Sequence, residues 1–266
     1  MYAYITLLSN ERYVPGVRAL NKALRNVGTK YPLYCALSHS VPKECESILD
    51  KDGIRCLRLS SDVLGMHNRG FNSIFKHWEN TFDKLKIWEL EQFDKLVYLD
   101  SDMLILGNLD HLFEKKAFSG VCAGKSIPGH EHYKGINSGL VVIEPNKAVA
   151  DTLSGMASQI IEERKAKGWP TGDQDILQAY LTDWDRQSEL QLDEAYNCFA
   201  DNLDYYIDHL GYSLSTKDEK PILVVHFIGT TKPWMKRSLL GKCWLLRMFI
   251  RNKYYYRAYK AYRQLF

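Results

Sequence analysis

No stretch of this chain approaches the run of about 20 apolar residues that a membrane-spanning helix requires, so no such helix is expected within it. Cysteine occurs at positions 35, 45, 56, 122, 198 and 243, never as C-x-x-C and never at metal-finger spacing. That pattern argues for reduced thiols in a cytosolic protein and against a disulfide framework. Neither G-x-G-x-x-G nor G-x-x-x-x-G-K-[ST] is present, so a dinucleotide-binding turn and a P-loop are both unsupported. The opening residues form a strand pattern at once, without a basic leader and apolar core, and no cleaved signal is expected. Acidic residues are missing from one region: Lys232 to Phe266 holds ten Lys or Arg and no Asp or Glu. With 35 basic against 32 acidic residues in all, net +3, the rest of the chain carries 25 against 32, a balance of −7. An acidic body with a basic tail implies a division of labour along the chain.

What is present is ordinary for a globular α/β protein. The 266 residues, 45% hydrophobic and 25% charged, suffice for one large domain or two small ones. Tyr2–Leu8 reads as a strand, and Tyr13–Val27 as a helix with Val14, Val17, Leu20, Leu24 and Val27 at helical spacing. Leu33–Leu37, Pro42–Leu49 and Ile54–Leu59 continue as strand, helix and strand, an order that implies parallel pairing through crossover helices. A helix over Phe82–Phe93 leads to a strand at Leu96–Leu99. Gly120–Ala123, Leu140–Ile143 and Ile222–Phe227 read as further strands, and Lys147–Lys165 and Asp173–Thr182 as helices. No internal repeat and no domain boundary before residue 235 is visible. We therefore expect one mostly parallel sheet with helices on both faces over residues 1–235, and a separate tail over 236–266.

The most informative segment is LVYLDSDMLILGNLDHLF, residues 96–113. Its first four residues make a buried strand that ends in two aspartates one residue apart, Asp100 and Asp102, and a second apolar run, Met103–Leu106, follows directly. Carboxylates at i and i+2 off a strand end can converge on one hard cation. Held next to a core without a cation they suffer both desolvation and mutual repulsion. An acidic turn is the plainer alternative. His226, ending VVH, can add an imidazole nitrogen, a set that suits Mn²⁺, with Mg²⁺ as the other candidate; alone, such a histidine is equally a structural residue.

Other polar residues fall at strand ends, where ligands of open α/β sheets bind. Ser9 and Asn10 follow the first strand and Tyr13 starts the helix; they can bond a base or ribose and stack on a pyrimidine, or simply cap the helix. GINSGLVVIEP places Asn137 and Ser138 before a strand, with Gly139 allowing a ligand close to the backbone or simply making a turn before the strand. TGDQDIL puts Asp173 and Gln174 in the first turn of a helix, over a sugar or merely favouring the helix dipole. Lys232, six residues past His226 on a glycine-containing loop, can neutralise a leaving diphosphate.

Taken together, TLLSN with Tyr13, DKLKIWEL, YLDSDMLILGNLDHLF, GINSGLVVIEP, GDQDIL and HFIGTTKPW resemble, in order and from about Tyr2 to Trp234, glycosyltransferase family 8. These are retaining sugar-nucleotide transferases that include glycogenin, galactinol synthases and bacterial lipooligosaccharide galactosyltransferases. The resemblance implies a GT-A type fold and a UDP-sugar donor. It further implies Mn²⁺ held by Asp100, Asp102 and His226, and donor contacts from Leu7, Ser9, Asn10, Tyr13, Lys84, Ser101, Asn137, Ser138 and Gly229. Asp173, Gln174 and Lys232 would be the residues of catalysis, the last on the diphosphate. The implied activity is transfer of a hexose, glucose or galactose, to a glycan hydroxyl with retention, in bacterial lipopolysaccharide or surface polysaccharide synthesis. Retention needs either a covalent double displacement or same-face attack, and the latter is preferred because Gln174 is a poor nucleophile.

The tail beyond Trp234 interleaves large apolar and aromatic residues with Lys and Arg, the composition of a helix lying on anionic lipid. A helix packed on the body is the alternative, and nucleic acid fits an acidic body poorly. The expected protein is therefore cytoplasmic, with peripheral attachment to the inner face of a membrane and a glycolipid acceptor; a homo-oligomer is left open. Rival readings are a glycogenin-like self-glucosylating protein, with Tyr205 and Tyr206 near the family's acceptor tyrosine, and a non-catalytic sugar-nucleotide binder.

Overall fold

The computed structural model describes residues 1–59 and 81–266. The chain runs β1 (Tyr2–Leu8), α1 (Val14–Asn26), β2 (Leu33–Leu37), α2 (Lys43–Lys51) and β3 (Arg55–Arg58), then β4 (Lys95–Leu99) and β5 (Met103–Ile105). It continues through β6 (Gly120–Val121), β7 (Asn137–Ile143), α3 (Lys147–Ala166), α4 (Asp173–Tyr180), β8 (Cys198–Phe199) and α5 (Leu203–Asp208). β9 (Val224–His226), α6 (Leu239–Arg251) and α7 (Lys253–Arg263) complete it. The main sheet has the order β3-β2-β1-β4-β7-β6. β3, β2, β1 and β4 pair in parallel, whereas β7 is antiparallel to both β4 and β6. Mostly parallel pairing is thus as expected.

The pleat sends alternate residues to opposite faces. Tyr4, Val97, Leu99, Leu140 and Val142 join one core cluster with Leu20 and Leu24 of α1. Ala3, Ile5, Leu7, Leu96, Tyr98, Val141 and Ile143 join another with Leu153 of α3 and Ile176 of α4. Both faces are covered, which is why the strands are near-continuous apolar runs. Each large side chain buried in this way contributes about 1.5–3 kcal/mol relative to exposure.

Three features depart from expectation. The Phe82–Phe93 segment is a 3-10 helix over Thr81–Glu89, with Phe82 to Leu85 and Ile87 and Trp88 all buried. It is a connector covered nearly all round, not an amphipathic helix with one apolar stripe. A second sheet, β5-β9-β8, was not foreseen, because strands of two or three residues carry no readable period. The tail forms two helices of different character. On α7, Tyr255, Ala258, Tyr262 and Leu265 just beyond it are buried in the main core, whereas no residue of α6 is fully buried and only Leu245, Met248 and Phe249 are half-buried against that core. Among the described residues no helix is long and apolar enough to cross a membrane.

Candidate active site

The D-x-D segment is the crossing point between the two sheets. β4 ends at Leu99, the chain turns through Asp100–Asp102, and β5 enters the small sheet. The turn is fastened by Asp100 N–H to the Gly139 carbonyl (2.8 Å) and by Phe227 N–H to the Asp102 carbonyl (3.1 Å). β5 and β9 pair antiparallel with Met103 opposite His226, so the register delivers the imidazole to the aspartates. His226 Nε2 lies 3.2 Å from Asp102 Oδ1 and 3.8 Å from Asp100 Oδ2. One ligand atom from each of the three residues falls within 4.8 Å of the others. Gly139 makes room for this: a Cβ there would stand 2.9 Å from His226 Cε1 and 2.9 Å from Asn137 Oδ1.

Two buried lysines flank the acids. Lys84 Nζ is 3.2 Å from Asp100 Oδ1, 2.7 Å from Asp173 Oδ2 and 3.3 Å from both Ser138 oxygens, and sits 4.6 Å from the centre of the Tyr98 ring. Burial works against its charge, but Asp100 and Asp173 outweigh that and hold it up at about 12. It joins the end of β4 to the start of α4. Lys232 Nζ donates to Asp102 Oδ2 (2.5 Å) and to the Phe227 carbonyl (3.1 Å). It returns to the site because Gly229 takes φ +88°, the left-handed region that glycine occupies without strain. Burial opposes the charge of Asp102, yet Lys232 beside it holds the carboxyl well below the usual range.

Asn137, Ser138 and Gln174 reach the same rim because β7 starts where the parallel strands end. Asn137 Nδ2 donates to Gln174 Oε1 (2.8 Å), as does Ser138 N–H (3.3 Å). Gln174 is held at the first turn of α4, whose N-terminus is closed by Gly172 N–H to Asp175 Oδ2 (2.8 Å), with Arg164 on the other carboxylate oxygen. Asp100, Asp102, His226, Lys84, Lys232, Asn137, Ser138, Asp173 and Gln174 therefore form one connected network.

The remaining predicted residues are less directly joined to it. Tyr13 is half-buried and meets Trp234 edge-to-face at 5.7 Å. The Asn10 side chain accepts from Arg12 N–H (2.9 Å), the plain capping role; Ser9 is half-buried at the end of β1. Leu7 is packed in the core, and Ser101 is buried with its carbonyl accepting from Tyr262 (3.4 Å). Tyr205 and Tyr206 lie on α5; Tyr206 is fully buried and donates to Glu194 (2.8 Å).

Two residues of the site carried no signal in the sequence. Tyr98, read only as a strand residue, donates its hydroxyl to Asp100 Oδ1 (2.7 Å), as its i−2 position on the same strand face allows. Asn197, fully buried before β8, has its Oδ1 2.9 Å from His226 Nδ1 and donates to Asn137 Oδ1 at 2.8 Å. Only the parallel β8–β9 register, Phe199 opposite His226, brings it there.

Comparison with known proteins accords with this arrangement. Glycogenin-1 of Caenorhabditis elegans is 32% identical over 240 residues, covering 87% of this chain and 50% of that protein. Inositol phosphorylceramide glucuronosyltransferase 1 of Arabidopsis thaliana is 27% identical, covering 87% of this chain and 42% of that protein. The chain thus spans about half the length of these curated relatives. The galactosyltransferase LgtC, solved with donor and acceptor sugar analogues, superimposes with a TM-score of 0.64 at 18% identity, over 94% of each chain. The glycosyltransferase GlyE of Streptococcus pneumoniae gives 0.60 at 21% identity, over 93% of this chain and 61% of that one. The fold is of the GT-A type shared by these structures. The family model "Glycosyl transferase family 8" matches residues 5–238, and the chain belongs to that family.

Proposed function

We propose that this chain is a retaining hexosyltransferase that moves glucose or galactose from a UDP-sugar to a glycan hydroxyl with the aid of Mn²⁺, Mg²⁺ being the alternative. The observation that carries this reading is the convergence of the two aspartates and His226 at the rim of the sheet. Carboxylate oxygens accept hydrogen bonds and cannot donate them, so such a cluster is best satisfied by a cation. Asp100, Asp102 and His226 would hold the metal, a donor set of two oxygens and one nitrogen that suits Mn²⁺. When bound, it supplies positive charge that eases departure of a nucleoside diphosphate.

The chain's own residues do the rest. Lys232, delivered by the Gly229 turn, lies beside Asp102 and is the ammonium available to the diphosphate. Ser9, Asn10 and Tyr13, at the mouth of β1, face the nucleoside; Asn137, Asp173 and Gln174 face the sugar. Gln174 Oε1 already accepts from Asn137 and Ser138, so it is a weak nucleophile. That favours same-face attack: the acceptor oxygen bonds the anomeric carbon as the bond to the phosphate oxygen breaks, and the hydroxyl proton passes to the departing phosphate.

The acceptor is proposed to be a glycan carried on lipid, with α6 resting on an anionic membrane. Leu239, Cys243, Leu246 and Ile250 recur at helical spacing on one exposed stripe, and Leu239, Leu246 and Ile250 are 78%, 60% and 77% exposed. By the same period Lys242 flanks one side of the stripe, and Arg247 and Arg251 the other. The likeness to glycogenin-1 favours self-glucosylation as a second reading, but with Tyr206 buried only Tyr205 of that pair remains half-accessible. Intact mass after incubation with UDP-glucose separates the two, since only self-glucosylation adds hexose increments.

UDP release from a panel of UDP-sugars with Mn²⁺ tests the main reading. Asp102→Ala should lose about 10²–10³ in turnover, the loss typical when one electrostatic partner of a developing charge is removed. Normal transfer by that variant at matched Mn²⁺ overturns the assignment.

A further inference from the structure

We infer that Asn197 is the positioning residue of the metal site: it holds His226 with its proton on Nδ1, so that the Nε2 lone pair faces the aspartates. This deepens the reading above and rests on it. The warrant is a chain of amide hydrogen bonds whose polarity is set by backbone donors. Gly139 N–H donates to Asn137 Oδ1 (3.0 Å), and a backbone N–H can only donate, so that atom must be the oxygen. Asn137 therefore presents its NH₂ to Gln174 Oε1, whose identity as oxygen is fixed separately by Ser138 N–H.

The same Asn137 oxygen faces the Asn197 side chain at 2.8 Å, so the Asn197 atom there must be its nitrogen. Its oxygen then lies 2.9 Å from His226 Nδ1, which must carry a hydrogen to complete the bond. A neutral imidazole protonated on Nδ1 has its lone pair on Nε2, the atom 3.2 Å from Asp102. Ligand histidines are commonly oriented in this way by a partner on the second ring nitrogen. Here the orientation traces through two side-chain amides to the Gly139 and Ser138 backbone, on the strand beside the D-x-D turn. Asn197 is fully buried, so water does not replace it readily.

The test uses Mn²⁺ alone as the probe, its free ion counted by electron paramagnetic resonance, together with ¹⁵N spectra of the histidine rings in protein loaded with diamagnetic Mg²⁺. Asn197→Ala should bind Mn²⁺ about 10–100-fold more weakly than the native chain, the usual effect of losing such a partner. Asn197→Asp keeps an acceptor for Nδ1–H and should rescue the affinity. The His226 spectrum should show hydrogen on Nδ1 in the native protein and in Asn197→Asp. An Nε2–H ring in the native protein overturns the inference even if Asn197→Ala fails to fold, and so does equal Mn²⁺ affinity in the native and Asn197→Ala proteins. A native chain that binds no Mn²⁺ at all overturns the metal-site reading, and this inference with it.

Discussion

Lys232 and Asp102, 130 residues apart, meet at 2.5 Å with both side chains buried. An ammonium thus already neutralises one of the two aspartates proposed to hold a divalent cation. Removing one partner of a buried pair costs about 3–5 kcal/mol, because the other charge is left uncompensated. Lys232→Met should therefore lower the melting temperature markedly. Because Mn²⁺ can take over the neutralisation of Asp102, it should raise the melting temperature of the variant more than that of the native chain. Differential scanning fluorimetry across a Mn²⁺ series measures this, and equal shifts would contradict it.

The two lysine–aspartate pairs also bound the pH range of stability, with opposite signs. Asp102 has a depressed folded-state pKa. Its contribution is full above the ordinary carboxylate value of about 3.9 and is lost as pH falls through the folded value. Lys84 is raised from 10.5 to about 12, so its contribution is full below 10.5 and is lost as pH rises through about 12. Urea unfolding at a series of pH values should give a plateau between these limits. Asp102→Asn should flatten the acid limb and Lys84→Met the alkaline limb; an unchanged slope in either removes that residue from the account.

Much of this arrangement was legible in the sequence, and the failures have physical causes. Asp100 and Asp102 stand out because two charges directly follow an apolar strand, a placement that needs a reason. Their meeting with His226 is a different matter. It depends on Met103 pairing with His226 between strands of three residues each, too short to show a period. Asn197 is a single amide in AYNCF and becomes visible only once β8 lies beside β9. Gly139 was read as a point of close approach, and a Cβ there would crowd His226 and Asn137. The tail was one basic, aromatic stretch; that Tyr255 and Tyr262 enter the core while Leu239 and Ile250 stay outside follows from where α7 docks. A tyrosine suits either place, so composition alone does not separate the two helices.

Gln174 offers a sharper test of how the sugar is handled. Its oxygen is occupied by Asn137 and Ser138, so its contribution to a donor sugar comes through its NH₂. Gln174→Ala should bind UDP nearly as well as the native chain, by calorimetry, while turnover falls about 10²-fold, as for other lost polar contacts to a transition state. Gln174→Glu should not restore turnover, because a carboxylate cannot supply the NH₂. Full activity in Gln174→Glu would instead make the oxygen the working atom and revive a covalent route.

The tail calls for substitutions rather than truncation. A chain ending at residue 235 would strip Tyr255, Ala258 and Tyr262 out of the main core and damage the body along with the tail. It would also break the Asn252 contacts to the Asp201 carbonyl (3.3 Å) and to Asp204 (3.1 Å). Replacing Leu239, Leu246 and Ile250 by Gln removes the exposed stripe of α6 and leaves α7 docked. Lys or Arg near an anionic surface contributes about 1 kcal/mol each, an attraction that salt screens. The native chain should therefore sediment with phosphatidylglycerol-containing vesicles, less so at high salt, and little with neutral vesicles. The triple variant should remain in the supernatant while keeping its melting temperature and its UDP-sugar hydrolysis. Equal sedimentation of the two proteins would show that α6 is not what holds the chain at the surface. Transfer to a lipid-linked glycan in vesicles should then fall in the variant while transfer to a soluble glycan does not, because attachment changes the local acceptor concentration and leaves the chemistry at Asp102 and Lys232 intact.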